Sequence, residues 1–308
     1  MKTSKIGYSE VVVSKLGLGT NKVGGHNLFE NLDEKNGYDQ VRAALDSGIT
    51  LLDTAYVYGL GRSEEIIGEV LKEYKEYARS KVIIATKAAQ DPANDLKVTN
   101  DPAFLTKAVD EALARLQTDY IDIFYIHFPD EKTDKAEAVA ALDKLKKAGK
   151  IRAVGVSNFS FEQLKEANRD GLVDIVEEHY NLIHREAEDQ LFEYLRENNI
   201  AFVPYFPLAS GLLTGKYSEA DYEKFDKFSK EQFVEIIQCL AIVKEIAEAH
   251  EATVLQIILA WYMKNPDIAT VIPGARNAEQ VEGLVKATEI SLSETEYEKI
   301  DAVFASFK

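Results

Sequence analysis

The sequence predicts an α/β fold closed into a (β/α)8 TIM barrel, on three observations. Short apolar runs alternate with amphipathic helical stretches almost to the end of the 308 residues. Four helix starts carry reciprocal capping signals, and the glycine fingerprint of an open nucleotide-binding sheet is missing where it would have to stand. Eight strand–helix pairs in a chain of this length fit such a barrel. The rival doubly wound sheet announces itself by Gly-x-Gly-x-x-Gly after its first strand. Here that place reads Gly17-Leu18-Gly19-Thr20-Asn21-Lys22, and no Gly-x-x-x-x-Gly-Lys-Ser/Thr stands elsewhere. With no linker, repeat or shift of composition, residues 1–308 read as one domain.

In chain order, a strand is expected at 16–19 with a helix at 37–46, then a strand at 51–53 with a helix at 63–73. Strands at 82–86, 121–126, 153–156 and 173–177 follow, paired with helices at 102–116, 135–148, 161–167 and 186–197. The seventh strand, 201–204, precedes a helical stretch 230–264 split near 250–253; the eighth, 269–272, precedes helices at 277–286 and 294–304. Most strands are apolar throughout, as strands covered on both faces must be. Ser160-x-x-Gln163, Ser229-x-x-Gln232, Thr253-x-x-Gln256 and Ser293-x-x-Glu296 each fit a capping box, where side chain and backbone satisfy each other's orphan amides. Asp101-Pro102 sets a capping carboxylate before a proline at the first helical position.

Composition narrows the function classes. Apolar residues make up 46% of the chain, enough for a large core, which excludes disorder. The net charge of −16 argues against nucleic acid and anionic membrane as partners, because both are bound by clustered Lys and Arg. The single cysteine, Cys239, lies in an apolar run and reads as a buried small hydrophobe. No secretory leader is visible, and no window approaches the roughly 20 apolar residues of a membrane span, so a soluble cytoplasmic protein is expected. The five histidines show no ligand spacing, so no metal is expected.

In a barrel, function lies at the carboxyl ends of the strands. Asp53 ends the second strand and Tyr58 follows five residues on, while Lys87 follows the third strand and His127 the fourth. Each alone has a plain structural reading as a cap, a wall residue, a snorkelling cation or a satisfied imidazole. On one rim they form a chemical unit. A free phenol holds its proton up to about pH 10. A neighbouring ammonium favours the phenolate, a carboxylate keeps that ammonium charged and aimed, and an imidazole orients a carbonyl. Tyr58 is thereby a candidate proton donor and acceptor toward a carbonyl or alcohol oxygen.

These residues fall in motifs that resemble the aldo-keto reductases. The motifs are Asp53-Thr54-Ala55-x-x-Tyr58-Gly59, Ala85-Thr86-Lys87, Ile126-His127-x-Pro129-Asp130, Gly155-Val156-Ser157-Asn158-Phe159, Tyr205-Phe206-Pro207-Leu208 and Ile272-Pro273-Gly274, in family order across residues 17–292. Leu16-Gly17-Leu18-Gly19-Thr20-Asn21, then Val23-Gly24-Gly25-His26-Asn27, together with Tyr205-Phe206-Pro207-Leu208, look closest to bacterial members of the inositol-operon type. The resemblance implies a TIM barrel that binds NADP(H) and passes hydride between nicotinamide and the carbonyl carbon of a small aldehyde or ketone, or the reverse from an alcohol. It implies Tyr58 as general acid, Lys87 and Asp53 as its tuners, and His127 as substrate orienter. Ser157, Asn158 and the residue at Glu177 would face the carboxamide, with Tyr205 stacked on the nicotinamide and Phe206 and Pro207 beside it. Gly19, Thr20, Asn21 and Asp53 would line the cofactor at the first strand ends. Leu208, Ser210, Gly211, Leu213 and Lys216 would embrace the pyrophosphate. Gly274, Ala275, Arg276 and Gln280 would meet the adenosine end, with the planar guanidinium of Arg276 on the 2′-phosphate. A monomer or weak oligomer is expected, and a cofactor-bound regulatory subunit with little turnover is the alternative function.

Two positions depart from the pattern. Glu177 stands where the family usually has Gln, and Gly283-Leu284 where it often has Glu-Asn. An ionised Glu177 would be acceptor-only and would favour the oxidised, positively charged nicotinamide; the alternative is that it points at a neighbouring Lys or Arg and only balances charge. The charged stretch 216–229 lies where a cofactor-covering lid or a plain surface loop would be.

Overall fold

The structure is a computed structural model that describes residues 1–308 apart from 75–78 and 226. Its strands are β1 (Thr3–Lys5), β2 (Val12–Ser14), β3 (Leu18–Gly19), β4 (Leu51–Asp53), β5 (Ile83–Ala88), β6 (Gln90–Asp91), β7 (Lys97–Val98), β8 (Ile121–Ile126), β9 (Ile151–Ser157), β10 (Ile175–His179) and β11 (Ala201–Tyr205). Seven of them form one parallel sheet in the order β3-β4-β5-β8-β9-β10-β11, curled as the (β/α)8 barrel requires.

The eighth position is filled without a full ladder. The Ala269 N–H reaches the Phe202 carbonyl in β11 at 2.9 Å. On the other side, single parallel bridges join Leu16 to Val271 and Gly19 to Gly274. The expected strands at 16–19 and 269–272 are thus shortened to a two-residue strand and bridges. Pro273 has no N–H to give. The approach is close enough that a Cβ on Gly19 would stand 2.8 Å from the Ile272 carbonyl oxygen.

Alternation along the strands separates two cores. One face of each strand packs beneath the helices, with Leu52, Ile84, Phe124, Val154, Val176 and Phe202 among its members. The other face fills the barrel interior with Leu51, Ile83, Ala85, Ile123, Tyr125, Ala153, Ile175 and Val203. The β1–β2 hairpin, which sequence periodicity did not reveal, plugs the bottom of that interior with Ile6, Val11 and Val13. Continuing the same alternation upward puts Asp53, Lys87, His127, Ser157, Glu177 and Tyr205 on the interior side at the top.

The helices are α1 (Glu34–Asp46), α2 (Arg62–Glu73), α3 (Pro102–Leu116), α4 (Lys135–Lys147), α5 (Phe161–Ala167), α6 (Leu191–Glu197), α7 (Lys230–Ala249), α8 (Val254–Lys264), α9 (Ala278–Val285) and α10 (Glu294–Val303). All four expected capping boxes form, at Ser160, Ser229, Thr253 and Ser293. Asp101 caps α3 through the N–H groups of Ala103 and Phe104. α1 starts three residues before the expected Gly37, because Asp33 caps it at Lys35. The expected helix 186–197 divides into a 3-10 turn, Glu186–Glu188, and α6. Cys239 is buried, with its thiol on the Val303 carbonyl. Among the described residues no helix is long and apolar enough to cross a membrane.

Candidate active site

Strand register sets the depth of each group. Asp53 is level with Gly19 and Ala85, Lys87 with Tyr125, and Glu177 with Ser157 and Val203. Lys87 is fully buried, and its Nζ lies 2.5 Å from Asp53 Oδ1 and 3.0 Å from the Thr54 carbonyl. Its ring contacts are Tyr58 at 5.8 Å and Tyr125 at 5.5 Å. Tyr58 meets His127 edge-on with centroids 6.5 Å apart. The four residues expected from the strand ends therefore form one cluster.

The electrostatics are set by burial first. Burial opposes the Lys87 ammonium, but Asp53 and Glu177 outweigh it and hold its pKa above the ordinary lysine value. Asp53 is raised by burial in spite of Lys87. For Tyr58 the sequence suggested net lowering by Lys87. Lys87 does pull downward, yet burial outweighs it and, with Asp53 and Glu177, leaves the phenol well above its ordinary value. Burial, helped by Lys87, pushes His127 down to about 3, so its imidazole is neutral. His127 stacks on Phe128, and its Nδ1 is buried with no hydrogen-bond partner among the described residues.

The residues expected around a nicotinamide are brought together at the same rim. Asn158, at φ +61°, donates to the His127 carbonyl at 3.0 Å and accepts from the Tyr205 hydroxyl at 2.8 Å. Ser157 is buried beneath it and accepts from the same amide. The Tyr205 ring continues a stack through His179 to His184. Phe206 is exposed, and the chain from Phe206 to Gly211 carries positive φ at Phe206, Ala209, Ser210 and Gly211. Pro207 is buried, and its carbonyl accepts from Tyr262. The Leu208 carbonyl closes the following turn on the Gly211 and Leu213 N–H groups.

Other expected contacts are committed to structure. Thr20 is fully buried, and its hydroxyl serves the Asp53 carbonyl and Ser63, so it supports Asp53 from behind. Leu213 is in the core, and Ala275 is buried. Gln280 accepts from the Arg276 N–H at 2.9 Å, bracing the start of α9. Leu284 packs in the core, and the Gly283 carbonyl accepts from Gln256. Arg276, Gly274, Ser210 and Lys216 are exposed. In 216–229, Tyr217, Tyr222, Phe225 and Phe228 pack against the core around a 3-10 turn, Glu219–Lys224. This anchors the described part of the stretch; residue 226 lies outside the described residues.

Two contributors were passed over in the sequence. Lys22 is partly buried, and burial together with Arg276 lowers its pKa. Its signal was a lone Lys directly after the first strand-end motif. Asn27 donates to the Val57 carbonyl at 3.0 Å and accepts from the Gly59 N–H at 2.8 Å, gripping the chain on both sides of Tyr58. The donor set fits a nicotinamide dinucleotide. Among the described residues Asn21 Oδ1, His127 Nδ1 and Glu177 Oε2 are buried without hydrogen-bond partners. Gly274 leaves room beside Asn21, and Lys22 with Arg276 gives a cationic pair on an acidic protein. Among the described residues no cluster of His, Cys, Asp or Glu is arranged to hold a metal ion.

Comparison with known proteins agrees with this geometry. The signature of the Aldo/keto reductase family matches residues 15–305. The chain is 36% identical to Aldo-keto reductase YhdN of Bacillus subtilis, over 98% of this chain and 93% of that one. It is 32% identical to the NADH-specific methylglyoxal reductase of Escherichia coli, over 96% of each. Among solved structures, the glycerol dehydrogenase of Gluconobacter oxydans matches with a TM-score of 0.86 at 33% identity, covering 99% of this chain and 95% of that one.

Proposed function

Because the chain belongs to the aldo-keto reductase family, whose members are nicotinamide-dependent oxidoreductases of carbonyl compounds, we propose that it works with NADP(H) and uses Tyr58 as its proton donor. The observation that carries the reading is the buried Asp53–Lys87 pair beneath Tyr58, with a neutral His127 beside it. Tyr58 gives its proton to the carbonyl oxygen. Lys87 stabilises the phenolate that forms, and Asp53 holds the ammonium in place. His127, being neutral, hydrogen-bonds the same oxygen without adding charge. When bound, the reduced nicotinamide supplies the hydride and the oxidised form accepts it. Ser157, Asn158 and Tyr205 hold the nicotinamide end, and the 208–216 turn holds the pyrophosphate. Gly19 and Asn21 line the first strand end, with Gly274, Arg276 and Gln280 at the adenosine end.

The preference for NADP(H) rests on Arg276 and Lys22, two cations at the start of α9, where helix amides also favour an anion. The name of the Escherichia coli relative, NADH-specific, points the other way. We also infer the closer kinship with the inositol-operon type from the 16–27 motif, and a cytoplasmic monomer or weak oligomer acting on small carbonyl compounds or alcohols. The test is a panel of aldehydes and ketones followed by cofactor absorbance, with NADPH and NADH run side by side. Faster turnover at lower KM with NADPH is expected. Equal or better use of NADH overturns the cofactor assignment, and no oxidation of either cofactor overturns the reductase reading.

A further inference from the structure

Three ionisable groups meet at the top of the barrel interior, and only one of them is a cation. Lys87 Nζ lies 2.5 Å from Asp53 Oδ1 and 3.3 Å from Glu177 Oε2. Asp53, Lys87 and Glu177 are 2%, 0% and 3% exposed, and the two carboxyls are within hydrogen-bonding reach of each other. Among the described residues, the ionisable groups that interact with Glu177 are Asp53 from β4, Lys87 from β5, Tyr58 from the loop after β4, Tyr125 from β8 and Tyr205 from β11. Its register partners, Ser157 in β9 and Val203 in β11, carry no charge. Glu178 points to the other face of β10 and accepts the Phe159 N–H.

Two ionised carboxylates around one buried ammonium would leave a negative charge uncompensated, which a dry site does not tolerate. A pair of carboxyls this close keeps one shared proton. Asp53 has the short bond to Lys87, so the proton belongs on Glu177. We propose that Glu177 is a positioning residue that stands as a neutral acid at neutral pH, donating to Asp53 and offering Oε2 to the cofactor's carboxamide, and that its ionisation in alkaline solution weakens proton delivery by Tyr58. Burial and Asp53 both raise its proton affinity, in accord with this assignment. The expectation of an ionised Glu177 at neutral pH is thereby reversed.

A protonated carboxyl both donates and accepts, as a Gln side chain does. Among the described residues Glu177 Oε2 makes no aligned hydrogen bond, and its one cationic neighbour, Lys87 Nζ at 3.3 Å, leaves it a lone pair to offer. On ionisation the donor is lost, and a second negative charge competes with Tyr58 for Lys87. The Tyr58 proton is then held more tightly, because Glu177 already acts on Tyr58 in that direction. The same charge would attract the oxidised nicotinamide.

The inference rests on Tyr58 as proton donor, and the test separates the two. Infrared difference spectra of cofactor-free protein, wild type minus Glu177→Gln, should contain a protonated-carboxyl band at neutral pH that disappears as pH rises. Glu178→Gln, run beside it, identifies any band of the neighbouring carboxyl. In wild type, kcat for reduction should fall about tenfold per pH unit beyond that titration, as for loss of one required proton. Whatever its absolute kcat, Glu177→Gln should show no alkaline fall through the same range. The ratio Kd(NADP⁺)/Kd(NADPH) should drop with pH in wild type alone. Absence of the band, or an identical alkaline limb in both proteins, overturns the proposal. Glu177→Met gives the same infrared reading if the Gln variant does not fold. If no carbonyl compound is reduced, the functional reading falls while the band and its titration still decide about Glu177.

Discussion

Tyr58 owes its place to residues that never touch a reactant. Asn27 holds the peptides on either side of it. Gly59, at φ +69°, admits no side chain, because a Cβ there would stand 2.0 Å from the Gly24 carbonyl oxygen. Tyr58→Phe removes only the hydroxyl, so cofactor binding should persist while kcat falls by about 100-fold or more. Near-normal kcat would end the assignment. Asn27→Ala deletes two hydrogen bonds worth about 1 kcal/mol each. It should lower kcat more than it raises KM, and steady-state kinetics with unchanged circular dichroism would check this. Arg276→Ala and Lys22→Ala should each raise the Kd of NADPH about tenfold, as for a lost charge-assisted contact of about 1.4 kcal/mol, and leave NADH nearly unchanged. Equal losses in fluorescence titration would show that neither cation reads the phosphate. Asp53, Lys87 and His127 were legible because interior parity at a strand end is written in sequence. Lys22 and Asn27 were not, since their partners lie about 30 residues away or more in loops that have no period.

At the scale of elements, what the sequence could show was local chemistry. The capping boxes form because both partners sit within four residues. Most strands appear within two residues of expectation because both their faces are apolar. The β1–β2 and β6–β7 hairpins were missed, since strands of three and two residues carry too little alternation to stand out. The break at 189–190 was missed for a tertiary reason. Arg185 turns inward there, bonds Glu188 at 2.5 Å, pairs with Asp301 in the last turn of α10, and lies over the Trp261 ring of α8. It therefore ties the closing helices to the barrel. Arg185→Met should remove that tie and leave Glu188, which accepts from the Tyr180 hydroxyl, with only the half-exposed Lys308 as a cation. Unfolding stability should drop by about 2 kcal/mol or more, discounting the buried-pair figure for the partly exposed carboxylates. A urea midpoint equal to that of wild type would show that the tie contributes nothing.

The whole molecule carries its acidity in two kinds of carboxyl, and they oppose each other with pH. Asp130 is burdened by burial but accepts from the Asn100, Lys132 and Thr133 N–H groups and the Thr133 hydroxyl, which leaves its pKa below the ordinary value. Its stabilisation is present above about pH 4 and lost as pH falls. Glu178 is the reverse. Burial pushes it up to about 8, against the backbone N–H groups it accepts. The folded chain keeps a proton there that the unfolded chain releases near its ordinary value of 4.5. Its contribution is therefore full below that value and disappears as pH rises through about 8. Asp53 and Glu177 are raised in the same direction. The net charge of −16 adds self-repulsion. The urea midpoint should accordingly be highest at about pH 5–6 and decline toward pH 8. Salt should recover part of that decline, because about 0.1 M screens charges beyond roughly 10 Å. Glu178→Gln keeps the acceptor oxygen and cannot ionise, so it should flatten the slope between pH 5 and 8 while leaving the acid limb, set by groups such as Asp130, where it was. A slope identical to wild type would mean that Glu178 is already ionised in the folded protein, and that the decline belongs to the net charge and the other raised carboxyls.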